Sequence, residues 1–460
     1  MKNRRNLSKF LAAIALVAFL GAGCGGPSDA KTAASKPVKL VIWRVFDSQS
    51  SLQPILSAYQ KLHPNVSFEY REIRSNEFKN ELLRALAEGN GPDIFSLNNA
   101  WIGEYQSLIT PLPPSLKIPY SEVRGTIKKE TIYTIKEQPG LSTRALRTEF
   151  IDVVTDDVLR KHQDNAKAPV SDRIFGLPLS VDTLALYYNK DLLNAGGFPE
   201  PPKTWAQFQE QTTKLTRVGT NNDLLQSGAA LGTSKNVERA TDILTLLMMQ
   251  NGTQMTSDNG FATFAGQNQD RQILGLDAVN FYTDFANPTK QVYSWNAKQL
   301  NSFDAFTSGK TAFFFGYSYH APLIRAAAPK LPFSLTTVPQ IEGGKQVNYA
   351  NYWVDTVSKA SKNIDFAWDF IQFETSAEQV PAYLEAAKKP TARRALINGQ
   401  MQDDTLSIFA SQLLTAKSWY KGKDASVAEK ALLDLIDATL AGSDPERAIQ
   451  DAQNKVNQTF

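Results

Sequence analysis

The chain has 460 residues, 42% of them hydrophobic, 10% aromatic and 21% charged, with a formal charge of +3. Those proportions are globular; they exclude a disordered, collagen-like or many-spanning membrane chain, and the length fits two or three domains. Lys2, Arg4, Arg5 and Lys9 precede any acidic residue, so residues 24–460 sum to −1, and a near-neutral body lacks the basic field that gathers nucleic acid.

The basic run leads into Phe10 to Gly23, an uncharged and mostly apolar stretch too short to span a bilayer. That order marks residues 1–23 as a secretory signal peptide. Cys24, the only cysteine, follows Gly21-Ala22-Gly23 and resembles the lipidated Cys of a bacterial lipobox, with Leu20 four rather than three residues before it. The mature chain has no other thiol, which removes disulfides, thiolate zinc sites and cysteine nucleophiles. Residues 24–37 then read as a lipidated Cys and a flexible, small and polar tether.

Beyond the tether, strands and helices alternate. Lys39 to Arg44 is an apolar run suited to a strand buried on both faces. Leu52, Ile55, Leu56, Tyr59 and Leu62 recur at helical spacing. Val66 to Tyr70 predicts a second strand, Phe78 to Leu86 a second helix ending at Gly89-Asn-Gly91, and Asp93 to Leu97 a third strand. This start implies an open α/β sheet that binds ligands beyond the carboxyl ends of its strands. Residues 111–172 are proline-rich, weakly periodic and read as an insertion on the first lobe. Leu184 to Asn189 predicts another strand. Thr204 with Gln207 forms a capping box, and Ser443 with Glu446 around Pro445 a second. Further helices are expected near 237–250, 270–286, 363–374, 403–416, 427–440 and 444–458.

Catalytic and cofactor signatures fail. Thr307-Ser-Gly-Lys-Thr311 resembles the end of a P-loop, but Asp304 stands where the loop needs Gly. The mature chain has no dinucleotide fingerprint, there is no G-x-S-x-G elbow, and His63, His162 and His320 lack metal-ligand spacing, so no cofactor and no metal is expected. What holds is a series of segments. Gly91-Pro-Asp-Ile94, Gly176 to Leu193, Pro201-Pro-Lys-Thr-Trp205, Phe306 to Tyr319 and Lys388-Lys-Pro-Thr-Ala-Arg393 resemble, in order, the bacterial extracellular solute-binding proteins of the maltose-binding type. The resemblance covers about residues 38–110 and 173–460. It implies a two-lobed α/β fold of the type II periplasmic-binding-protein class, with crossover strands and a ligand cleft between the lobes. Lobe one would be 38–180 plus 351–375, and lobe two 181–350 plus 376–460.

Candidate ligand residues follow from these placements. Asp182 sits at the first implied crossover, where related sugar receptors carry an acid that accepts hydroxyl hydrogen bonds. The alternative is a cap on the lobe surface. Tyr317 and Tyr319, with His320, follow the apolar run Ala312 to Phe315, where aromatic faces suit pyranose C–H faces unless they are ordinary core. Tyr349-Ala-Asn-Tyr-Trp353 is the second implied crossover, which favours Tyr352 or Trp353 in the cleft. Trp43 and Arg44 end the first strand, and Asn98, Asn99 and Trp101 follow the third, at strand ends where cleft residues belong; Trp43 could equally be core. Arg393 and Trp419 are weaker candidates.

The implied function is an extracytoplasmic, non-enzymatic, monomeric receptor, anchored to the membrane through Cys24. It would capture a mono- or oligosaccharide and pass it to the permease subunits of an ABC transporter. The rival from another class is a secreted glycoside hydrolase using Asp182 and Asp355, which would need two carboxylates flanking one bond. A sensor or adhesin on the same fold is a third reading.

Overall fold

The structure, a computed structural model, describes residues 29–126, 129–220 and 223–460. The signal peptide and Cys24 lie outside the described residues. Strands β1 (Val38–Arg44), β2 (Val66–Glu72), β3 (Ile94–Asn98) and β4 (Ile109–Thr110) belong to a first sheet. The hairpin β5 (Ser115–Arg124) and β6 (Glu130–Pro139) and the hairpin β7 (Leu159–His162) and β8 (Ser171–Ile174) follow. After β9 (Asp182–Thr183) come β10 (Ala185–Asn189), β11 (Arg217–Val218), β12 (Leu224–Ala229), β13 (Thr311–Gly316) and β14 (Phe333–Thr337), then β15 (Asn348–Asn351), β16 (Trp353–Ser358) and β17 (Ala416–Lys417).

The first sheet runs β2-β1-β3-β16-β4, with β1 parallel to β2 and β3, and β16 antiparallel to β3. The second runs β11-β12-β13-β10-β14. Its central β13 is buried at every position because it is covered on both faces: Phe313 and Phe315 enter the core on one face, and Phe314 the smaller cluster on the other. A third, small sheet, β17-β15-β9, carries the chain between the two. Each main sheet has its own apolar core, one around Leu40, Phe95 and Trp368, the other around Phe208, Tyr282 and Trp295.

The expected strands and helices form with shifts of a few residues at their ends. The helix after β1 runs Gln49–Leu62, and the next, Ser75–Glu88, stops at Gly89 in the left-handed conformation. Residues 111–172, expected as an insertion on the first lobe, bury Leu116, Ile118, Leu146, Phe150, Val154 and Val158 in the first core. Three expectations are corrected. Part of the expected tether, Asp29–Ser35, is a helix packed on the β5–β6 hairpin; its alanines favour the helix, and Asp29 complements its N-terminal dipole. The cap of the last helix, Pro445–Asn457, is Asp444, whose carboxylate accepts from Arg447 N at 2.8 Å, rather than Ser443. Finally, Val380, Tyr383 and Leu384 of the helix Val380–Ala387 pack in the first core against Gln49–Leu62, although residues 376–460 were expected in lobe two. The Thr204 cap forms as expected, but Gln207 accepts from Lys203 N instead of Thr204 N.

Candidate functional site

Between the two sheets lies a cavity of about 770 Å3, floored by the crossing strands and walled by side chains from both cores. That is ample for a small organic ligand. On the first-lobe wall Trp353 opens β16 opposite Asn98. Its ring meets Trp101 at 5.3 Å, Phe46 at 5.7 Å and Phe78 at 6.1 Å, all edge to face. Lys79 Nζ caps Trp101 at 4.4 Å from the ring centre. Asn98 Oδ1 accepts from Ala100 N, and its amide donates to Asn351 Oδ1 at 2.9 Å, which ties the first lobe to the floor.

The second-lobe wall is built around two carboxylates. Asp182, at the start of β9, accepts from Thr183 N at 2.9 Å, from Ser318 N at 3.0 Å and from Ser318 Oγ at 2.6 Å. Burial pushes its pKa up to about 7, against the pull of the Ser318 hydrogen bonds. Ser318 reaches it because the backbone leaves β13 at Gly316, where a Cβ would lie 2.7 Å from Phe314 and 2.9 Å from His320. Asp242 accepts two 2.8 Å bonds from Arg239, one of 2.5 Å from the Tyr317 hydroxyl, and one of 3.3 Å from Asn351 Nδ2. Tyr319 is 47% exposed and stacks on Tyr317 and His320.

The sequence-derived candidates divide accordingly. Asp182, Tyr317, Tyr319, Asn98, Trp101, Tyr352, Trp353 and Trp419 all border the cavity. Tyr352, however, aims its hydroxyl into lobe one, donating to Asp157 at 2.7 Å, and Tyr317 spends its hydroxyl on Asp242. Trp43, Arg44 and Asn99 border no part of it. Trp43 is buried in the first core under Arg71, because β1 is covered on both faces at its end. Arg44 is 1% exposed and donates to Glu374 at 2.7 and 2.8 Å, with Asp355 at 3.0 Å. Asn99 donates to Asp157 at 3.0 Å. His320 is buried between Glu238 and Tyr317 N, and Arg393 between Phe150, Thr375 O and Glu149.

Sequence reasoning missed Phe46, Asp47, Arg239 and Asp242. Phe46 has φ 67°, a left-handed backbone that costs a bulky residue on the order of 1–3 kcal/mol, and its ring is 63% exposed at the cavity mouth. No local pattern distinguishes it from a strand-end aromatic. Asp242 lies in an apolar helix, Ala240–Gln250, where a single acid reads as a first-turn dipole partner. Asp47 accepts from Tyr383 at 2.8 Å and Lys389 at 2.7 Å. The acids on the cavity wall are thus engaged: Asp47, Asp182, Asp242 and Asp355 each accept hydrogen bonds from the protein, and Glu429 accepts from Thr241 at 3.3 Å with Arg239 at 3.5 Å. Among the described residues no group of three His, Cys, Asp or Glu is placed to hold a metal ion.

Two α/β lobes with separate cores, joined by crossing strands that floor the cavity between them, are the type II periplasmic-binding-protein architecture. The profile of a family described as bacterial extracellular solute-binding protein matches residues 55–407, and the chain belongs to that family. It is 22% identical over 403 residues to the galactooligosaccharide-binding protein of Bacillus subtilis, covering 86% of this chain and 83% of that one. It is 24% identical over 314 residues to a maltooligosaccharide ABC transporter solute-binding lipoprotein of Streptococcus pneumoniae, covering 65% and 70% of the two chains. The crystal structure of the cyclic alpha-maltosyl-1,6-maltose binding protein from Arthrobacter globiformis superposes with a TM-score of 0.70 at 17% identity, covering 92% of this chain and 99% of that one.

Proposed function

We propose that this protein is an extracytoplasmic receptor that closes on an uncharged carbohydrate in the interlobe cavity and delivers it, chemically unchanged, to an ABC permease. The observation that carries the reading is the composition of the cavity wall: an aromatic cluster around Trp353, with Phe46 exposed, opposite two hydrogen-bonded carboxylates, Asp182 held by Ser318 and Asp242 paired with Arg239. Aromatic faces and carboxylate acceptors are the two chemistries a sugar offers surfaces to. The names of the relatives point the same way. The ligand contacts we propose are Asp182, Trp353, Trp101, Asn98 and Tyr319, with Phe46. The glycosidase reading loses support because Asp182 is held by Ser318 and Thr183, and Asp355 by Arg44 and Ser96.

The lobes in this reading are 38–180 with 351 to about 397, and 181–350 with the remainder, and the receptor acts as a monomer. A thermal-shift screen of the mature chain against sugars tests the function. A ligand at a hundred times its dissociation constant adds about 2.7 kcal/mol of stability. Asp182→Asn weakens that ligand about tenfold by replacing a charged acceptor, and the recovered sugar is unaltered. New reducing ends, formed at a rate that Asp182→Asn abolishes, would sink the receptor reading.

The same proposal anchors the chain through a lipid on Cys24. Cys24→Ser is expected to release the protein from the membrane fraction. Retention of that variant with residues 1–23 still attached would show an uncleaved anchor instead.

A further inference from the structure

Two hollows meet at the rim of the first lobe. The interlobe cavity and a shallower groove of about 470 Å3 share Phe46, Ser75 and Asn76, and the groove continues along Glu72, Ile73 and Arg74. Phe46 is the partition between them. The chain on either side of it is pinned: Val45 is buried, the Asp47 carboxylate accepts from Tyr383 and Lys389, and the Asp47 carbonyl accepts from Tyr70 at 2.6 Å. Between these anchors the backbone turns left-handed at φ 67° and points the Phe46 ring outward. Turning it inward would remove apolar surface from water and relieve a conformation that bulky residues avoid, so the fold forgoes both gains at this one position. The contact with Trp353 is edge to face at 77°, which leaves at least one face of the Phe46 ring uncovered. Past that ring the groove offers the hydroxyl of Ser75, the amide of Asn76 and one charge of each sign, Glu72 and Arg74.

We propose that Phe46 is a stacking platform for a sugar ring that extends beyond the central cavity, and that the groove from Glu72 to Asn76 is an outer subsite. The receptor then selects linear, uncharged oligosaccharides over mono- and disaccharides. This rests on the carbohydrate reading above and adds to it the path and length of the ligand. A pyranose presents a C–H face to the ring and hydroxyls to Ser75 and Asn76, whose groups both donate and accept.

The test is calorimetric titration of galacto-, malto- and manno-oligosaccharide ladders, monosaccharide to hexasaccharide, into the wild type, Phe46→Gly and Glu72→Trp. Glycine accepts the left-handed backbone, so Phe46→Gly removes the ring while relaxing the turn, and its melting temperature should not fall. Glu72→Trp fills the groove from an exposed position. In the ladder that binds, wild-type affinity rises with chain length, and the ratio of longest-chain to shortest-chain affinity drops about tenfold in both variants. A wild type indifferent to length, or an unchanged ratio in either variant, overturns the subsite while leaving a sugar receptor. Binding of no ladder member, with a solute of another class captured instead, overturns the carbohydrate reading and the subsite together.

Discussion

Trp353→Ala weakens sugar binding by at least about tenfold and, if the ring is the central contact, by about thirtyfold. The expectation follows from where the ring sits. Trp353 is the first residue of β16, directly after the crossing strand β15, so it stands at the junction of the floor and the first-lobe wall. Phe46, Phe78 and Trp101 all lean on it edge to face, and truncation would remove the shared support of the cluster as well as one surface. Aromatic anchors at the centre of a contact commonly account for 2 kcal/mol or more, which is about thirtyfold in affinity. The ring is also half-buried against the first core, so the alanine variant is expected to lose some folding stability. Trp353→Phe separates the two effects: it keeps an aromatic surface and most of the packing, and should retain most of the affinity. Measuring ligand-free melting beside affinity decides the matter. Affinity unchanged in Trp353→Ala, with the fold intact, would show that the ligand lies elsewhere.

Much of this architecture is legible in the sequence because it is local. The run Lys39 to Arg44, the helical spacing from Leu52 to Leu62 and the all-apolar Ala312 to Phe315 each encode an element whose type and buried face need only neighbouring residues to be recognised. The cavity residues that were found, such as Asp182, Trp101 and Trp353, lie at strand ends or crossovers, positions that topology assigns to ligands. The misplacements share one cause. Arg44, Asn99 and Trp43 also lie at a strand's end, but their side chains are claimed by partners far along the chain: Arg44 by Glu374, Asn99 by Asp157. Strand direction alone does not say which face of the last residue meets the cleft. Phe46 and Arg239 owe their exposure and aim to left-handed backbone, at φ 67° and 56°, which no hydrophobic pattern announces. The return of residues 376–397 to the first core was hidden for the same reason, since amphipathic periodicity reports that a helix has a partner and not which partner.

The largest stability effect is expected at Arg44, the candidate that proved structural. Arg44→Met keeps the length of the side chain and removes the cation that faces two buried carboxylates, Asp355 and Glu374. In the wild type burial pushes Glu374 up to about 8 and raises Asp355 too, while Arg44 holds both down. A buried acid with a raised pKa binds more protons folded than unfolded. Its contribution to stability is therefore complete below the unfolded value of about 4.5 and is lost as pH rises through the folded value of about 8, at up to about 1.4 kcal/mol per pH unit for each such group. Removing the guanidinium raises both folded pKa values further, so the loss continues to higher pH. At pH 8, where Glu374 begins to ionise in the wild type, Arg44→Met should cost more than at pH 5, and the cost should grow by up to about 1.4 kcal/mol for each further pH unit. Near pH 5 Glu374 keeps its proton and hydrogen-bonds as a neutral group, and the cost should shrink towards what the lost packing and the Ser96–Asp355 neighbourhood account for. Urea unfolding of the wild type and Arg44→Met at both pH values measures the difference, and adding Glu374→Gln should restore part of the stability at pH 8 alone. Equal destabilisation at the two pH values would mean that Arg44 acts through its volume and not its charge. Arg44 thus ties the end of β1 to Asp355 of β16, the strand whose first residue, Trp353, borders the cavity.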